Sequence, residues 1–212
     1  MPTSLLHISV SPRGAQSQSR RVGQMLVDQL LVRNGDLRVV KRDLGVTPPP
    51  HPDTAFINAS LKPAADRVAA DHAALLYSEI LLGELVAADL VIIDTPMHNF
   101  TVPSALKAWI DYIVRPGRSF ALSPRGKLPL LQDRPVRIAV ACGGRFSGNY
   151  AQQDFLTPYL HYVFATMGIT DLDVLLLEQT GRREEGQALA AQRADDWIAA
   201  QLVQLGNRQP PH

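Results

Sequence analysis

Short apolar runs alternate along the chain with segments in which apolar residues recur at helical spacing. Five of these runs predict β-strands, at residues 5–10, 37–44, 90–94, 136–141 and 172–177. Residues 37–44 alternate between apolar and polar positions, as expected of a less buried strand at the edge of a sheet. Residues 90–94 and 136–141 are continuous apolar runs, which indicates buried strands.

Helices are predicted between these strands. The first keeps helical spacing as far as Asn34 and Gly35, a pair that favours a helix end. The others are predicted at residues 64–87, 104–114, 155–167 and 184–205, with Ser104 as an N-cap and Gly168 ending the fourth helix. The proline-rich residues 47–52, the polar residues 116–133 and the frayed tail at 209–212 are predicted to lie outside helices and strands.

Five strands that alternate with helices predict a parallel sheet covered on both faces, with right-handed crossovers. A dinucleotide-binding Rossmann unit would carry Gly-x-Gly-x-x-Gly after the first strand, and a P-loop would carry Gly-x4-Gly-Lys-Ser/Thr, but neither occurs. The pattern favours a flavodoxin-like doubly wound sheet with strand order 2-1-3-4-5. We expect residues 1–212 to form a single domain of this α/β class.

Composition excludes several functional classes. The chain has 21 basic and 20 acidic residues, a net charge of +1, which gives no overall field to attract nucleic acid or an anionic membrane. A single cysteine rules out an intramolecular disulfide, and no apolar run is long enough to span a bilayer. No secretory signal is recognisable at the N-terminus, so a cytoplasmic protein is expected.

The loop after the first strand offers hydroxyls at the start of a helix. It runs Ser-Pro-Arg-Gly-Ala-Gln-Ser-Gln-Ser, with hydroxyls at Ser11, Ser17 and Ser19 and an amide at Gln18. Free N–H groups and the positive end of the helix dipole would bind a phosphate monoester there. Ordinary N-capping by serine explains the same residues and remains the alternative.

The loop after the third strand has the composition of a pocket for a flat, hydrogen-bonding ring. Asn99 supplies an amide, and Met97 and Phe100 supply apolar walls next to His98. Flanking prolines stiffen this loop before any ligand binds. We interpret it as half of a flavin site, the alternative being a crossover loop in which the Asn99 side chain caps its own backbone.

The loop after the fourth strand contains adjacent glycines, Gly143 and Gly144, which let a backbone approach a ligand closely. Cys142 does not fit a Cys-x5-Arg phosphatase loop, because position 148 is glycine, and a cysteine at a strand end is more often inert. No metal site is predicted, because the histidines lack the spacing of metal ligands. They are His7, His51, His72, His98, His161 and His212.

With these three loops in order, the sequence resembles the FMN-dependent NADH-azoreductase family, also described as NADH:quinone oxidoreductases. The resemblance runs from residue 7 to about residue 205. The family's Pro-Met-Tyr-Asn-Phe and Leu-Lys-x-x-x-Asp elements are similar to residues 96–100 and 106–111. Its Thr-Pro-Tyr-Leu and Gly-Ile-Thr-Asp elements are similar to residues 157–160 and 168–171.

The resemblance implies which residues bind FMN. The phosphate and ribityl chain would be held by Ser11, Ser17, Gln18 and Ser19. The flavin ring would lie against two further groups: Met97, His98, Asn99 and Phe100, and Ala141, Cys142, Gly143 and Gly144. His98 stands in place of the family's usual tyrosine, and Ala141-Cys142 replaces Ser-Arg, so substrate preference and pH dependence are expected to differ.

By the same resemblance the protein is a homodimer with one noncovalent FMN per subunit. NADH would reduce the flavin, and a quinone or azo compound would then accept two electrons in ping-pong order. His98 is the only candidate proton donor, and Phe120 and residues near Tyr159 would help wall the substrate pocket. The alternatives are a flavodoxin-like electron carrier, an FMN-binding or cofactor-free regulatory module, and a phosphodiesterase, for which no general base or metal is found.

Overall fold

The computed structural model describes residues 2–181 and 184–207, so the predicted frayed tail at 209–212 lies outside the described residues. Within them the chain forms seven strands, six α-helices and two short 3-10 turns. The strands are β1 (Ser4–Ser9), β2 (Arg38–Asp43), β3 (Leu90–Pro96), β4 (Phe120–Ser123), β5 (Gly126–Pro129), β6 (Val136–Ala141) and β7 (Leu172–Leu177). The α-helices are α1 (Gln18–Arg33), α2 (Thr54–Leu61), α3 (Ala69–Ala87), α4 (Ser104–Ile113), α5 (Leu156–Met167) and α6 (Glu184–Gly206).

Five parallel strands form the central sheet in the order β2-β1-β3-β6-β7. Counting only the predicted strands, this is the order 2-1-3-4-5, so the predicted flavodoxin-like arrangement is confirmed. β1 and β3 are buried almost throughout, whereas β2 at the edge is only partly covered, as its alternating sequence predicts.

The two faces of the sheet carry separate apolar cores, because successive side chains of a strand point to opposite faces. On one face, residues such as Leu5, Leu90 and Ile92 pack against α1 and α6. On the other, Leu6, Val91 and neighbouring positions pack against α2, α3, α4 and α5. Helices therefore cover both faces, as the strand and helix alternation predicts.

The predicted helix at residues 64–87 is wrong in its first part, and a helix before it was missed. α2 begins after Asp53, whose carboxylate accepts a hydrogen bond from the amide of Phe56 at 2.8 Å. Residues 64–66 form a 3-10 turn, and Val68 is extended, with its amide donating to the carboxylate of Asp71. The capping side chains of Asp53 and Asp71 thus set two helix starts where the apolar pattern suggested one.

The segment at residues 116–133, predicted as a loop, contains the antiparallel hairpin of β4 and β5. Its turn consists of residues 124 and 125, and Gly126, the first residue of β5, follows at φ +113°. The ammonium of Lys127 lies 4.7 Å from the centre of the Phe120 ring. Arg115, 1% exposed, anchors the segment by donating to the Ser78 hydroxyl and to the Glu79 carboxylate. These are long-range contacts, which a pattern search along the chain does not detect.

Helix α4 begins at Ser104 itself, and Pro103 occupies the N-cap position without a side-chain cap, so the predicted N-cap role of Ser104 is wrong. The proline ring fixes φ at −60° at this helix start but has no group that could cap the first turn. The predicted end of the α5 helix is confirmed, because Gly168 follows it at φ +104°.

Helix α1 lies unusually close to β3 at one position. A Cβ atom placed on Gly23 would lie 2.8 Å from Oδ2 of Asp94, a carboxylate that is fully buried. Glycine at position 23 is therefore required by this close packing rather than by its backbone dihedral angles.

We expect Gly23→Ala to lower the free energy of unfolding by about 1–3 kcal/mol, because the added methyl group must displace a buried, hydrogen-bonded carboxylate. Gly83→Ala in α3 is the matched control, since no atom lies within 4 Å of its Cβ position. That change should raise stability by about 0.5–1 kcal/mol through helix propensity. Urea denaturation measures both, and equal effects of the two substitutions would contradict the close packing of α1.

Candidate functional site

The predicted site residues lie on loops that leave one edge of the sheet. β1, β3 and β6 are parallel neighbours, so the loops that follow them meet at their carboxyl ends, where open α/β sheets bind ligands. Backbone hydrogen bonds join these loops: Met97 N donates to the carbonyl of Ala141 at 2.8 Å, and Val10 N donates to that of Asp94 at 2.9 Å. The structure thus brings the three predicted loops together.

The loop after β1 holds three buried hydroxyls at the start of α1. Ser11, Ser17 and Ser19 are 2%, 5% and 0% exposed. The hydroxyls of Ser17 and Ser19 are 3.1 Å apart and hydrogen-bond to each other. Ser17 is also the N-cap of α1 and accepts a hydrogen bond from the amide of Arg20 at 3.4 Å, so the capping alternative describes part of what this residue does.

The same helix start has the features of an anion site. Gln18 and Ser19 are the first two residues of α1, and their amides have no helical acceptor. No acidic residue lies in the first turn to compete with an incoming anion. Unpaired amides, the helix dipole and hydroxyls therefore converge in one place, which is the arrangement that binds phosphate.

Two neighbours fix the position of this loop. A Cβ atom on Gly45 would collide with the carbonyl of Ser11, so the loop after β2 approaches it closely. Arg20 donates to the Ser11 carbonyl at 2.9 Å and forms a two-pronged ion pair with Asp43. Hydrogen bonds from Arg20 hold the pKa of Asp43 below its usual range, and Asp43 raises the pKa of Arg20 in turn.

The loop after β3 forms a tight two-residue turn. His98 and Thr101 exchange two backbone hydrogen bonds, at 3.0 and 3.1 Å, and between them Asn99 and Phe100 lie at φ +47° and +70°. Positive φ at both central positions is the geometry of a type I′ turn, which favours asparagine and glycine. For Phe100 this conformation costs about 1–2 kcal/mol, and strain of this kind is concentrated at functional sites.

This turn presents its side chains outward. Phe100 is 49% exposed, Asn99 and His98 are also exposed, and Met97 packs partly against the core. The side chain of Asn99 makes no hydrogen bond to any of the residues that the structure describes, so the predicted alternative, in which it caps its own backbone, is not observed. The turn therefore leaves an amide and an aromatic ring available to a ligand.

Cys142 in the loop after β6 points into the protein. It is 2% exposed, its thiol donates to the carbonyl of Leu177 at 3.3 Å, and its backbone groups bond to Leu177 and Thr180. Burial, with smaller contributions from Glu178 and Asp154, raises the pKa of this thiol to about 12. The buried thiol therefore lacks the accessible thiolate that a nucleophile requires.

The neighbouring residues of this loop are more open. Gly143 is exposed with free space around its Cβ position, and Ala141 and Gly144 are partly covered. A fourth loop, after β7, supports them: Gln179, at φ +58°, donates its amide to the carbonyl of Gly144 at 3.0 Å. This support was missed from the sequence, where the only signal is a polar Glu-Gln-Thr triplet directly after an apolar strand.

The two residues expected to wall a substrate pocket differ in exposure. Phe120 is 4% exposed and lies under Lys127, so its ring packs within the subunit and offers little surface to a substrate. Tyr159 is half-buried, and burial together with the charge of Asp111 raises its pKa. Tyr159 thus keeps a partly accessible ring, whereas Phe120 does not.

The described residues contain neither a metal-binding cluster nor a membrane-spanning helix. Among residues 2–181 and 184–207, no group of three or more His, Cys, Asp or Glu side chains is placed to bind a metal ion. No helix in the same part of the chain is long and apolar enough to cross a membrane.

Known proteins resemble this chain over most of its length. Residues 3–201 match the sequence profile of a family described by its flavodoxin-like fold. The FMN-dependent NADH:quinone oxidoreductase 2 of Cupriavidus pinatubonensis is 51% identical over 200 residues, which cover 94% of this chain and 97% of the relative. The FMN-dependent NADH:quinone oxidoreductase 4 of Pseudomonas fluorescens is 44% identical over 176 residues, covering 82% of this chain and 84% of the relative.

The fold is also shared with solved structures. An FMN-dependent NADH-azoreductase from Bacillus anthracis, solved in complex with FMN, superposes with a TM-score of 0.83 at 21% identity, covering 97% of this chain and all of that one. At this level of identity the match establishes the fold and nothing more.

We expect the thiol of Cys142 to be unreactive towards Ellman's reagent in the folded protein from pH 7 to pH 9. Its raised pKa keeps it protonated throughout that range, whereas an exposed cysteine would ionise and react faster as the pH rises. The control is the same protein in guanidinium chloride, which should release one equivalent of thiol. Rapid reaction of the native protein at pH 8 would show that the side chain is more accessible than the structure indicates.

Proposed function

Because the chain belongs to the family of FMN-dependent NADH:quinone oxidoreductases, which has a flavodoxin-like fold, we propose that it binds one noncovalent FMN and reduces quinones and azo compounds at the expense of NADH. The observation that carries this proposal is the pairing of a buried serine cluster at the start of α1 with a strained, outward-facing turn after β3, the strand next to β1 in the sheet. FMN, when bound, supplies two-electron acceptance and donation.

The serine cluster suits the phosphate of FMN. The hydroxyls of Ser11, Ser17 and Ser19 and the free amides of Gln18 and Ser19 would donate to its oxygens. Each of these groups is already held in place, since Arg20 and Gly45 fix the loop from the outside. A preformed cradle lowers the entropy cost of binding.

The turn after β3 suits the flavin ring. Asn99 would hydrogen-bond to the polar edge of the ring, with Phe100 and Met97 as apolar walls. Gly143, exposed and without neighbours at its Cβ position, would let the backbone of the loop after β6 approach from the other side. Ala141, Cys142 and Gly144 complete that loop. Cys142 would contribute its backbone rather than its side chain.

Proton supply does not require a buried acid. His98 is exposed at the turn, and its imidazole is the candidate proton donor among the proposed site residues. The protein's own part in the reaction is therefore to hold the ring, to exclude water from one of its faces and to leave the other face open to NADH and then to the acceptor.

We further infer a homodimer, and a cytoplasmic location because NADH is the donor. Several large apolar side chains are exposed on the hairpin, on the residue after it, at the N-cap of α5 and on α5 itself: Leu122, Leu128, Leu130, Phe155 and Tyr162. Strand β5 packs against α5. Large exposed apolar side chains on neighbouring elements, here called the apolar patch, favour an interaction surface. The patch reaches the carboxyl edge of the sheet at Phe155, near the proposed flavin loops.

The test of the proposed function is an anaerobic titration of the FMN-loaded, desalted protein with NADH, followed at 450 nm. Direct bleaching by one equivalent of NADH, and recovery of the colour on adding benzoquinone, would support the reductase. Retained flavin that NADH does not reduce would instead identify an electron carrier served by another enzyme. Failure to retain FMN would refute the proposal.

We expect Ser17→Ala combined with Ser19→Ala to weaken FMN binding by about tenfold or more, because two hydrogen bonds to a charged phosphate are lost. Riboflavin, which lacks the phosphate, is the matched ligand control, and its affinity should be unchanged. Asn99→Ala should weaken both ligands alike, because the ring is common to them. Fluorescence titration measures all these affinities, and an equal loss for riboflavin in the serine variant would refute the phosphate assignment.

Tyr162→Asp should convert the dimer to a monomer, because a carboxylate would have to be desolvated within an apolar interface. Val32→Asp is the control, since Val32 is 86% exposed on α1, away from the patch. Light scattering coupled to size-exclusion chromatography gives the mass of each. A dimer that survives Tyr162→Asp but dissociates with Leu76→Asp would place the interface on the exposed face of α3 instead.

A further inference from the structure

A groove lies between α1 and the edge strand β2, on the β2 side of the sheet. Helix α1 packs chiefly on β3 and β6, so it leaves the adjoining face of β1 and β2 uncovered. The resulting cavity has a volume of about 440 Å³, within the range of small-molecule sites. None of the loops that follow β3 and β6 lines it, so it is distinct from the proposed flavin ring site.

The floor of this groove is a buried polar cluster that the proposed reaction does not use. Nε2 of His7 lies 2.7 Å from Oδ2 of Asp94, and the Ser9 hydroxyl donates to the same oxygen at 2.8 Å. His7 is 3% exposed and Asp94 is fully buried. Such a cluster costs free energy to bury unless its polar atoms are satisfied.

Two atoms of the cluster have no hydrogen-bond partner among the described residues: Oδ1 of Asp94, which is fully buried, and Nδ1 of His7, whose residue lines the groove. Nδ1 is not completely buried, so it remains accessible from the cavity that His7 lines. In the tautomer whose Nε2 donates to Asp94, Nδ1 is an acceptor for a hydroxyl donor.

The rim of the groove carries unbalanced positive charge. Arg21 and Lys41 line it and have no ion-pair partner in the described part of the chain. Arg20 is neutralised by Asp43, and Asp28 accepts a hydrogen bond from Gln24. Two free cations therefore face one carboxylate, which favours an anionic ligand.

We propose that this groove binds a small aromatic acid that carries a hydroxyl group. Its carboxylate would lie between Arg21 and Lys41, its ring against the thioether of Met25, and its hydroxyl would donate to Nδ1 of His7. This site does not depend on the proposed function. It shares Ala15 and the Arg20–Asp43 ion pair with the surroundings of the serine loop, but none of the three serine hydroxyls proposed to bind phosphate lines it.

The experiment titrates 4-hydroxybenzoate into the FMN-loaded protein by calorimetry, with the flavin absorbance recorded in parallel. We expect saturable binding of one equivalent that leaves the flavin spectrum unchanged, because the groove does not touch the ring loops. Benzoate should bind about fivefold more weakly, since it lacks the hydroxyl that reaches His7.

Variants identify the site. Lys41→Met and Arg21→Met should each weaken binding about fivefold or more, by removing a charge from the rim while keeping an unbranched side chain. Arg38→Met is the matched control, because Arg38 is exposed on the same strand with its side chain on the opposite face from Lys41. It removes the same charge and should leave the affinity unchanged.

Three outcomes would overturn the proposal. The first is absence of saturable binding of either acid, and the second is an equal loss of affinity in Arg38→Met, which would indicate a general charge effect. The third is binding that perturbs the flavin spectrum and survives in both rim variants, which would place the acid on the cofactor. None of these outcomes bears on whether FMN is bound and reduced by NADH, so the two proposals fail separately.

Discussion

The buried carboxylate of Asp94 is the group on which the arrangement of this protein depends. It ends the apolar part of β3 without any exposure to solvent, and it is held by the imidazole of His7 and the hydroxyl of Ser9 on the neighbouring strand. Helix α1 packs directly over it, at a position where only glycine fits. A buried carboxylate that loses its partners is strongly destabilising, so the register of β1, β3 and α1 is fixed at this point.

The position of α1 has consequences at both of its sides. At its N-terminus, the helix points its free amides at the loop that carries Ser17 and Ser19, which creates the anion cradle. Along its length, packing on β3 and β6 draws it away from β2, and the groove floored by His7 is left open. The position of α1 thus creates both the proposed phosphate site and the groove that we propose as a second ligand site.

The rest of the proposed flavin site is built from loops that support one another rather than from regular elements. The turn at Asn99 and Phe100 is tied to the loop after β6 through Met97, and that loop is tied to the one after β7 through Gly144 and Gln179. Positive φ angles at three non-glycine residues, Asn99, Phe100 and Gln179, show that the surrounding contacts outweigh local preference here.

The sequence alone determined the five strands of the main sheet and located the serine loop and the ring loop, because hydrophobic periodicity and helix-start chemistry are local properties. The strand order followed from the doubly wound plan that the absence of Rossmann and P-loop motifs favoured. It also indicated an inert Cys142, and burial raises the pKa of this thiol to about 12. Only the tertiary structure decided the separate helix α2, the hairpin anchored by Arg115, the left-handed turn at Phe100 and the groove above His7. These features arise from contacts between residues far apart in the chain, where a capping carboxylate, a buried ion pair or the lateral position of a helix overrides the local pattern of apolar and polar residues.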